Sequence, residues 1–357
     1  MRVRVVRAHE LGAAELAAWR SFQRLDLLLE NPYLSPDFVQ AVAGYRGDVH
    51  VAVLTRDGEP AGFFPFERGR GGLGRPVGAG FTDVQGIVTA PGVRLEPRRL
   101  LRDCGLSVWS FDHLLGGQFA EFHRSVSPSP VMDLTGGFEA YRERITARST
   151  KTYKSAAYRE RRLGRDVGET RHVFDSRDPA DLRALLAWKS AQYRATGQRD
   201  LFAEPAFTEL IERLHQEPGE CVRGVLSMLY AGDRPIAGHF GLVSGRVFAG
   251  WFPAYDRKFA WYSPGLVQHL GLAADAAERG VRHIHLGKGQ AAYKDFLATE
   301  QLAVAEGRIA RPGPAAAAHW AVTVPGGRAR DLLRRSAAVR GLARRVRTWR
   351  NGGRRDE

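Results

Sequence analysis

The chain has 357 residues, 44% of them hydrophobic, with a net charge of +14 and only two cysteines. That composition fits a globular protein of about two domains and excludes a disordered chain, a disulfide framework and a Cys-based zinc site. Arg2, Arg4 and Arg7 have no long apolar run behind them, and no stretch approaches the roughly 18 uncharged apolar residues of a membrane span, so a cytoplasmic protein without a secretory signal is expected.

In chain order, Arg2 to Arg7 reads as a strand, Ala13 to Leu28 as a helix, and Ser35-Pro36 as the start of a second helix reaching Ala43. Val49 to Thr55 and Ala61 to Phe66 flank Asp57-Gly58, a strong hairpin signal. Short strands near Val84 to Val88, Leu106 to Phe111 and Val131 to Leu134 complete a first α/β unit over residues 1–135. A strongly basic helix is expected from Phe138 to Leu163, followed by a strand at Glu169 to Phe174 and helices at Pro179 to Ala195 and Pro205 to Gln216. Three strands then follow at Cys221 to Tyr230, Pro235 to Val243 and Arg246 to Phe252.

Ser263-Pro264-Gly265 opens the next helix: serine is a preferred N-cap, proline suits the first turn, and Gly265 admits close approach to the backbone. Leu266, Leu270, Ala273, Ala274 and Ala277 recur at helical spacing, and Gly280 is placed to end the run. The start of that helix is a seat for a phosphate or carboxylate, since its N–H groups and dipole face outward there. A strand at Val281 to Leu286, a short helix at Gln290 to Leu297 and a last strand near Leu302 to Ile309 close a second unit over residues 136–311. Residues 312–357 read as a linker and a basic amphipathic tail. From Gly326 onward the tail holds eleven Arg against three acidic residues, with Leu332, Val339, Leu342, Val346 and Trp349 on one helical face. Such a helix suits an anionic membrane surface, RNA, an acidic carrier protein or its own domain.

The order of three antiparallel strands, helix, strand and short helix resembles the catalytic core of the GNAT acyltransferase superfamily. The stretches AGHFGLV (237–243), WFPAYD (251–256), YSPG (262–265), HLGKGQAAYK (285–294) and the basic KTYKSAAYRERRLGR resemble more narrowly the CelD-like tandem-GNAT branch, related to Fem-type aminoacyl-tRNA-dependent transferases. The resemblance implies two tandem GNAT-like α/β domains with mixed, mainly antiparallel sheets, a degenerate first and a catalytic second. It also implies an acyl donor lying between two splayed strands, with its pyrophosphate on the helix between them. The resemblance makes acyl-CoA the leading donor, but the Q/R-x-x-G-x-G/A loop of common CoA-dependent members is replaced here by DRKFAWYSPG, which leaves acyl carrier protein and aminoacyl-tRNA open as alternatives. The acceptor is an amine of a small metabolite, sugar or peptide; a non-catalytic membrane-surface scaffold in polysaccharide or lipid assembly is the other reading. No permanently bound cofactor is expected.

Acyl transfer to an amine needs a base, an oxyanion stabiliser and an acid for the leaving group. His239 is the candidate base. By the resemblance Tyr293 is the acid, and Lys294 or Lys288 neutralises phosphate or a developing oxyanion. Ser263, Pro264 and Gly265, helped by Arg257 and Lys258, are the expected donor seat. Trp251, Phe252, Tyr255, Trp261 and Tyr262 are candidate pocket aromatics, and Asp83 and Asp256 candidate ligands of the amine. Gly69, Gly71 and Gly74 spell GxGxxG without a following helix, which argues against a dinucleotide site. His283 and His285 alternate along one strand without a third ligand in the sequence, so no metal is expected. The absence of GxSxG or a Cys/His pairing favours direct attack of the amine.

Overall fold

Local chemistry sets the ends of the elements. Ser35 accepts a hydrogen bond from the Phe38 N–H with Pro36 at the first helical position, and both residues of the Asp57-Gly58 turn take positive φ, 55° and 89°, the geometry of a two-residue hairpin. The computed structural model describes residues 1–289 and 291–313; the expected tail helix lies outside them. The first part runs β1 (Arg2–Arg7), α1 (Ala13–Arg24), α2 (Pro36–Tyr45), β2 (Val49–Arg56), β3 (Glu59–Arg68), β4 (Leu73–Arg75), β5 (Val88–Thr89), α3 (Pro97–Asp103), β6 (Val108–Leu115) and β7 (His123–Asp133). The second runs α4 (Gly137–Arg148), α5 (Thr150–Asp166), β8 (Thr170–Val173), α6 (Pro179–Thr196), α7 (Pro205–Gln216), β9 (Val222–Ala231), β10 (Arg234–Ser244), β11 (Val247–Tyr255), α8 (Pro264–Glu278), β12 (His283–His285), α9 (Ala292–Leu297) and β13 (Glu300–Ala310).

Two differences from the sequence reading have simple causes. The single basic helix is two, because Ser149 leaves helical geometry and its hydroxyl accepts from Thr152 N–H to start α5. Helix α3 escaped notice because seven residues carry too little periodicity, although Glu96 caps it and Pro97 opens it.

Residues Met1–Ile309 make one compact unit, crossed by one mixed α/β sheet of thirteen strands in the order β1-β2-β3-β4-β6-β13-β7-β12-β11-β10-β9-β8, with β5 beside β3. The β4–β6 and β11–β12 pairings are parallel, and most of the others antiparallel. The last strand, β13, inserts between β6 and β7 and so ties the end of the described chain into the middle of the sheet. One face carries Trp19, Phe38, Phe207, Leu185 and Trp251 from α1, α2, α7, α6 and β11 in a common core. The other carries Tyr141, Ile145, Leu272, Ala276 and Leu297 from α4, α8 and α9.

Strand β11 decides where the sheet opens. It pairs with β12 only from Val247↔His283 to Ala249↔His285, yet stays beside β10 as far as Tyr255. Between Gly250 and Phe252 the β10–β11 register slips by one residue, leaving Trp251 as a bulge. A bulge sharpens strand twist and re-aims side chains. Here it sends consecutive residues to one side: the Trp251 and Phe252 rings stack at 4.8 Å.

Candidate active site

From Gly250 onward β11 leaves β12, and the space between them is lined by polar groups from both sheet faces. Glycine at 250 is required, because a Cβ there would meet His239 Nε2 at 2.6 Å and the His285 carbonyl at 3.0 Å. His239 on β10 is 2% exposed, and neither of its ring nitrogens has a hydrogen-bond partner. Its ring lies 4.8 Å from that of His269 on α8, and His269 lies 5.3 Å from Tyr293 on α9.

His269 is the residue the sequence reading missed. Its Nδ1 is 2.6 Å from the Gly265 carbonyl one helical turn back. A carbonyl only accepts, so Nδ1 carries the proton and, in the neutral ring, Nε2 carries the lone pair. That Nε2 is buried and unpartnered. An unmet buried polar atom costs about 1–3 kcal/mol, and three imidazole nitrogens in this state side by side mark a place that a ligand's polar groups complete. Burial, reinforced by His269, Lys189 and Lys294, holds His239 well below the usual histidine range; burial likewise pulls His269 down to about 4. Both rings are therefore neutral at pH 7 and have lone pairs to offer.

Two lysines and an aspartate share this space. Lys189 on α6 donates to the Pro253 carbonyl at 3.1 Å, on the part of β11 that has left β12. Burial and the charge of Lys294 pull its pKa down to about 8. Lys294 on α9 donates to the Gly287 carbonyl at 2.8 Å and to the Lys288 carbonyl at 3.4 Å, and burial lowers it too. Asp83, from the loop between β4 and β5, packs on Gly287, where φ is +73° and a Cβ would run into the Asp83 carboxylate. Burial raises the Asp83 pKa, opposed by His113 and Lys294. His113 Nε2 lies 3.8 Å from its carboxylate. Lys288 turns the other way and donates to the Asp112 carbonyl at 3.3 Å.

The structure thus brings together His239, Tyr293, Lys294 and Asp83, and adds His269 and Lys189. Neither had a sequence signal: Lys189 is an ordinary helical lysine, and His269 lies among the apolar residues of its helix. The remaining candidates fall elsewhere. Trp251 and Phe252 are 8% and 2% exposed and belong to the aromatic core, Trp251 donating to the Phe81 carbonyl at 2.7 Å. Asp256 is occupied as the cap of the 3-10 turn Arg257–Tyr262, accepting from Lys258 N–H at 3.0 Å. Arg257 and Lys258 are exposed on that turn.

At the start of α8 one expectation is corrected. Ser263 takes a left-handed backbone, φ 49° and ψ 50°, and makes no side-chain cap; its hydroxyl instead accepts from the Arg159 guanidinium of α5. Tyr262 donates to Asp166 at 2.9 Å, so α5 holds the turn in place. Pro264 is buried at the first helical position, and Tyr255 stands beside Gly265, 3.6 Å from where a Cβ would lie.

The strand pairing also gives His283 the partners it lacked in the sequence. Asp133 is its cross-strand neighbour on β7, and its Nε2 lies 3.8 Å from Asp133 and 3.3 Å from Glu300. These three offer ligand atoms within 4.8 Å of one another. Both Asp133 oxygens are already engaged, one by Thr135 N–H at 2.8 Å and the other by Arg144 at 2.6 Å, so the group reads as an ion-pair network.

With that geometry in place, the comparisons are specific. The Acetyltransferase (GNAT) domain family matches residues 150–295, a span that runs from α5 into α9 and holds every polar group of the gap except Asp83. Residues 150–295 belong to the GNAT family. The GNAT domain makes the chain an acyltransferase, and the fold likeness reaches beyond that domain. FemX matches with a TM-score of 0.56 at 10% identity, over 86% of this chain and 96% of its own. The C-terminal DUF2156 domain of a protein named as a lysylphosphatidylglycerol synthetase from Agrobacterium fabrum matches with a TM-score of 0.51 at 14% identity, over 87% and 97%. At these identities the likeness is one of fold. No curated protein matches the chain. Among the described residues no helix is long and apolar enough to cross a membrane.

Proposed function

We propose that the chain is an N-acyltransferase that moves an acyl group from a phosphate-bearing thioester, acyl-CoA first among them, to an amine of a small metabolite, sugar or peptide. The observation that carries this reading is the opening between β11 and β12, whose walls hold the unpartnered nitrogens of His239 and His269 and the side chains of Tyr293, Lys294, Lys189 and Asp83. The acceptor amine loses its proton to an imidazole lone pair, His239 acting as base with His269 beside it. The neutral amine nitrogen then bonds to the thioester carbonyl carbon; the carbon–sulfur bond breaks as Tyr293 protonates the leaving thiolate, and the nitrogen's second proton passes to the Tyr293 phenolate. Burial keeps Tyr293 protonated at neutral pH. Lys294 and Lys189 stabilise the oxyanion, and Asp83 holds the acceptor's ammonium before its proton is lost. The donor's phosphates rest at Ser263 to Gly265 with Arg257 and Lys258 nearby.

In this reading residues 1–135 are a degenerate GNAT-like lobe supplying Asp83, and residues 136–311 the catalytic lobe. Incubation with acyl-CoA and a panel of amines should release free thiol, and His239→Ala should lower kcat by about 10²–10⁴-fold while the melting temperature changes little. Wild-type rates in that variant would remove His239 from the mechanism. A second reading, an aminoacyl-tRNA donor as in Fem-type transferases, draws on the basic run of α5. It requires tRNA binding that weakens steeply with salt, and liposome flotation tests whether residues 326–357 hold the chain at an anionic membrane surface.

A further inference from the structure

The imidazole nitrogens are not the only unmet polar atoms beside the gap. Tyr33 is 4% exposed, and its hydroxyl has no hydrogen-bond partner among the described residues. It sits in the 3-10 turn Pro32–Leu34 ahead of α2, which Asn31 caps by accepting from Tyr33 N–H at 3.0 Å. With its Oδ1 so engaged, Asn31 turns Nδ2 to His285 Nδ1 at 3.0 Å, which ties the turn to the last residue of β12, where the gap begins. The Tyr33 ring packs edge-on against Phe38 and Trp251, with centroids 5.2 Å and 5.6 Å away. Trp251 in turn donates to the Phe81 carbonyl, two residues before Asp83. The ring is therefore fixed between the bulge of β11 and the loop that carries Asp83. Burial raises the Tyr33 phenol well above its ordinary value, and the charge of Asp83 adds to the rise; it adds likewise, behind burial, at Tyr193 and Tyr293. Of these three phenols near one carboxylate, the oxygen of Tyr33 alone is both sealed from solvent and unbonded.

A phenylalanine would fill the same space against Phe38 and Trp251 without burying an unmet hydroxyl, which is costly in a folded chain. The hydroxyl therefore calls for a partner that arrives with the substrate. We propose that Tyr33 donates a hydrogen bond to an oxygen of the acceptor next to the amine that Asp83 holds, so that the site selects amines with a hydroxyl or carbonyl oxygen on the carbon beside the amine-bearing one. The proposal rests on the acyltransfer reading above and narrows its acceptor. A site built to bond a substrate oxygen rejects the analogue that lacks it, because the buried partner is then left unpaired. Tyr33 and Asp83 both lie outside the matched span 150–295. Acceptor choice thus falls to the first 135 residues, and the chemistry of transfer to the residues that follow.

Two pairs of amines of matched shape test this on the full chain: 2-aminoethanol against propylamine, and glycinamide against isobutylamine. Each is assayed for thiol release from acetyl-CoA and, without donor, for binding by calorimetry. In at least one pair the wild type is expected to favour the oxygen-bearing amine by roughly 10- to 100-fold. Tyr33→Phe should remove most of that preference through the KM of the acceptor and not that of acetyl-CoA, while the melting temperature holds or rises because the lost hydroxyl had no partner. A response in the first pair assigns the oxygen to a hydroxyl and one in the second to a carbonyl; either supports the proposal. The same ratio within each pair for the wild type and a folded Tyr33→Phe protein overturns it, as does a fall in melting temperature with the ratios unmoved, which would leave the hydroxyl a packing group. Turnover of amines without dependence on Tyr33 would keep the acyltransfer reading and remove this inference. Binding of an oxygen-bearing amine that depends on Tyr33, with no thiol release for any amine, would leave the inference standing and remove the acyltransfer reading instead. Neither binding nor turnover would remove both.

Discussion

Two histidine clusters lie within a few residues of each other along β12 and differ in one respect. At His283 the imidazole faces Asp133 and Glu300, and Asp133 is itself held by Thr135 and Arg144. In the gap beyond β12, His239 and His269 are as buried as any core residue, yet three of their four nitrogens have no partner. A folded chain leaves few buried polar atoms unmet. The contrast is that the polar groups of the first cluster meet one another, whereas those of the second are left unmet by the described residues. Backbone geometry supports the distinction, since Gly250 and Gly287 are each held to glycine by a side chain of the gap.

Substitutions at the two clusters should separate them, and the largest effect is expected at Gly287. With φ at +73° and the Asp83 carboxylate where a Cβ would lie, Gly287→Ala should displace the carboxylate, lower the melting temperature through about 1–3 kcal/mol of strain, and abolish turnover in the thiol-release assay. Wild-type turnover in that variant would remove the Asp83–Gly287 contact from the site. Next comes Tyr293→Phe, expected to slow kcat by about 10²-fold or more with little change in stability if it protonates the leaving group. The loss should shrink for donors whose thiol leaves more readily; an equal loss for all donors would point to packing alone.

The pH dependence sharpens the comparison further. His269 falls to about 4 and His239 well below the ordinary histidine value, and His285, buried behind Asn31, falls to about 3. The unfolded chain takes up protons at these rings near pH 6.5 while the folded chain does not, so stability is fully present above that pH and is lost as pH falls toward 4. Each ring contributes a slope of up to about 1.4 kcal/mol per pH unit, readable from urea melts between pH 4 and 7. His269→Phe should flatten that slope; an unchanged slope would mean the ring is not buried neutral. The smallest effect is expected at the completed cluster, where Glu300→Gln removes an exposed partner and should change stability by less than about 1 kcal/mol and leave turnover untouched.

Much of this protein was legible before folding. The Asp57-Gly58 hairpin, the start of α2 at Ser35-Pro36 and the order from β9 to α9 follow from turn residues, caps and short-range periodicity, all properties of neighbouring residues. The resemblance which that stretch carries named Tyr293 and Lys294, and His239 was named for the chemistry of an imidazole within an apolar strand. Local reading failed wherever a residue's meaning depended on something distant in the chain. Ser263 looked like a cap until Arg159 claimed its hydroxyl. Trp251 and Phe252 looked like pocket residues until a bulge turned both into the core. Lys189 and His269 had no signal, because their significance comes from meeting Asp83 and Lys294 across a gap that exists only once β11 parts from β12. Capping and periodicity act over a few residues, so the sequence alone determined most of the elements and their order, short α3 and the break at Ser149 excepted. Which buried nitrogens go unpaired depends on every strand and helix around them, and that only the tertiary structure decided.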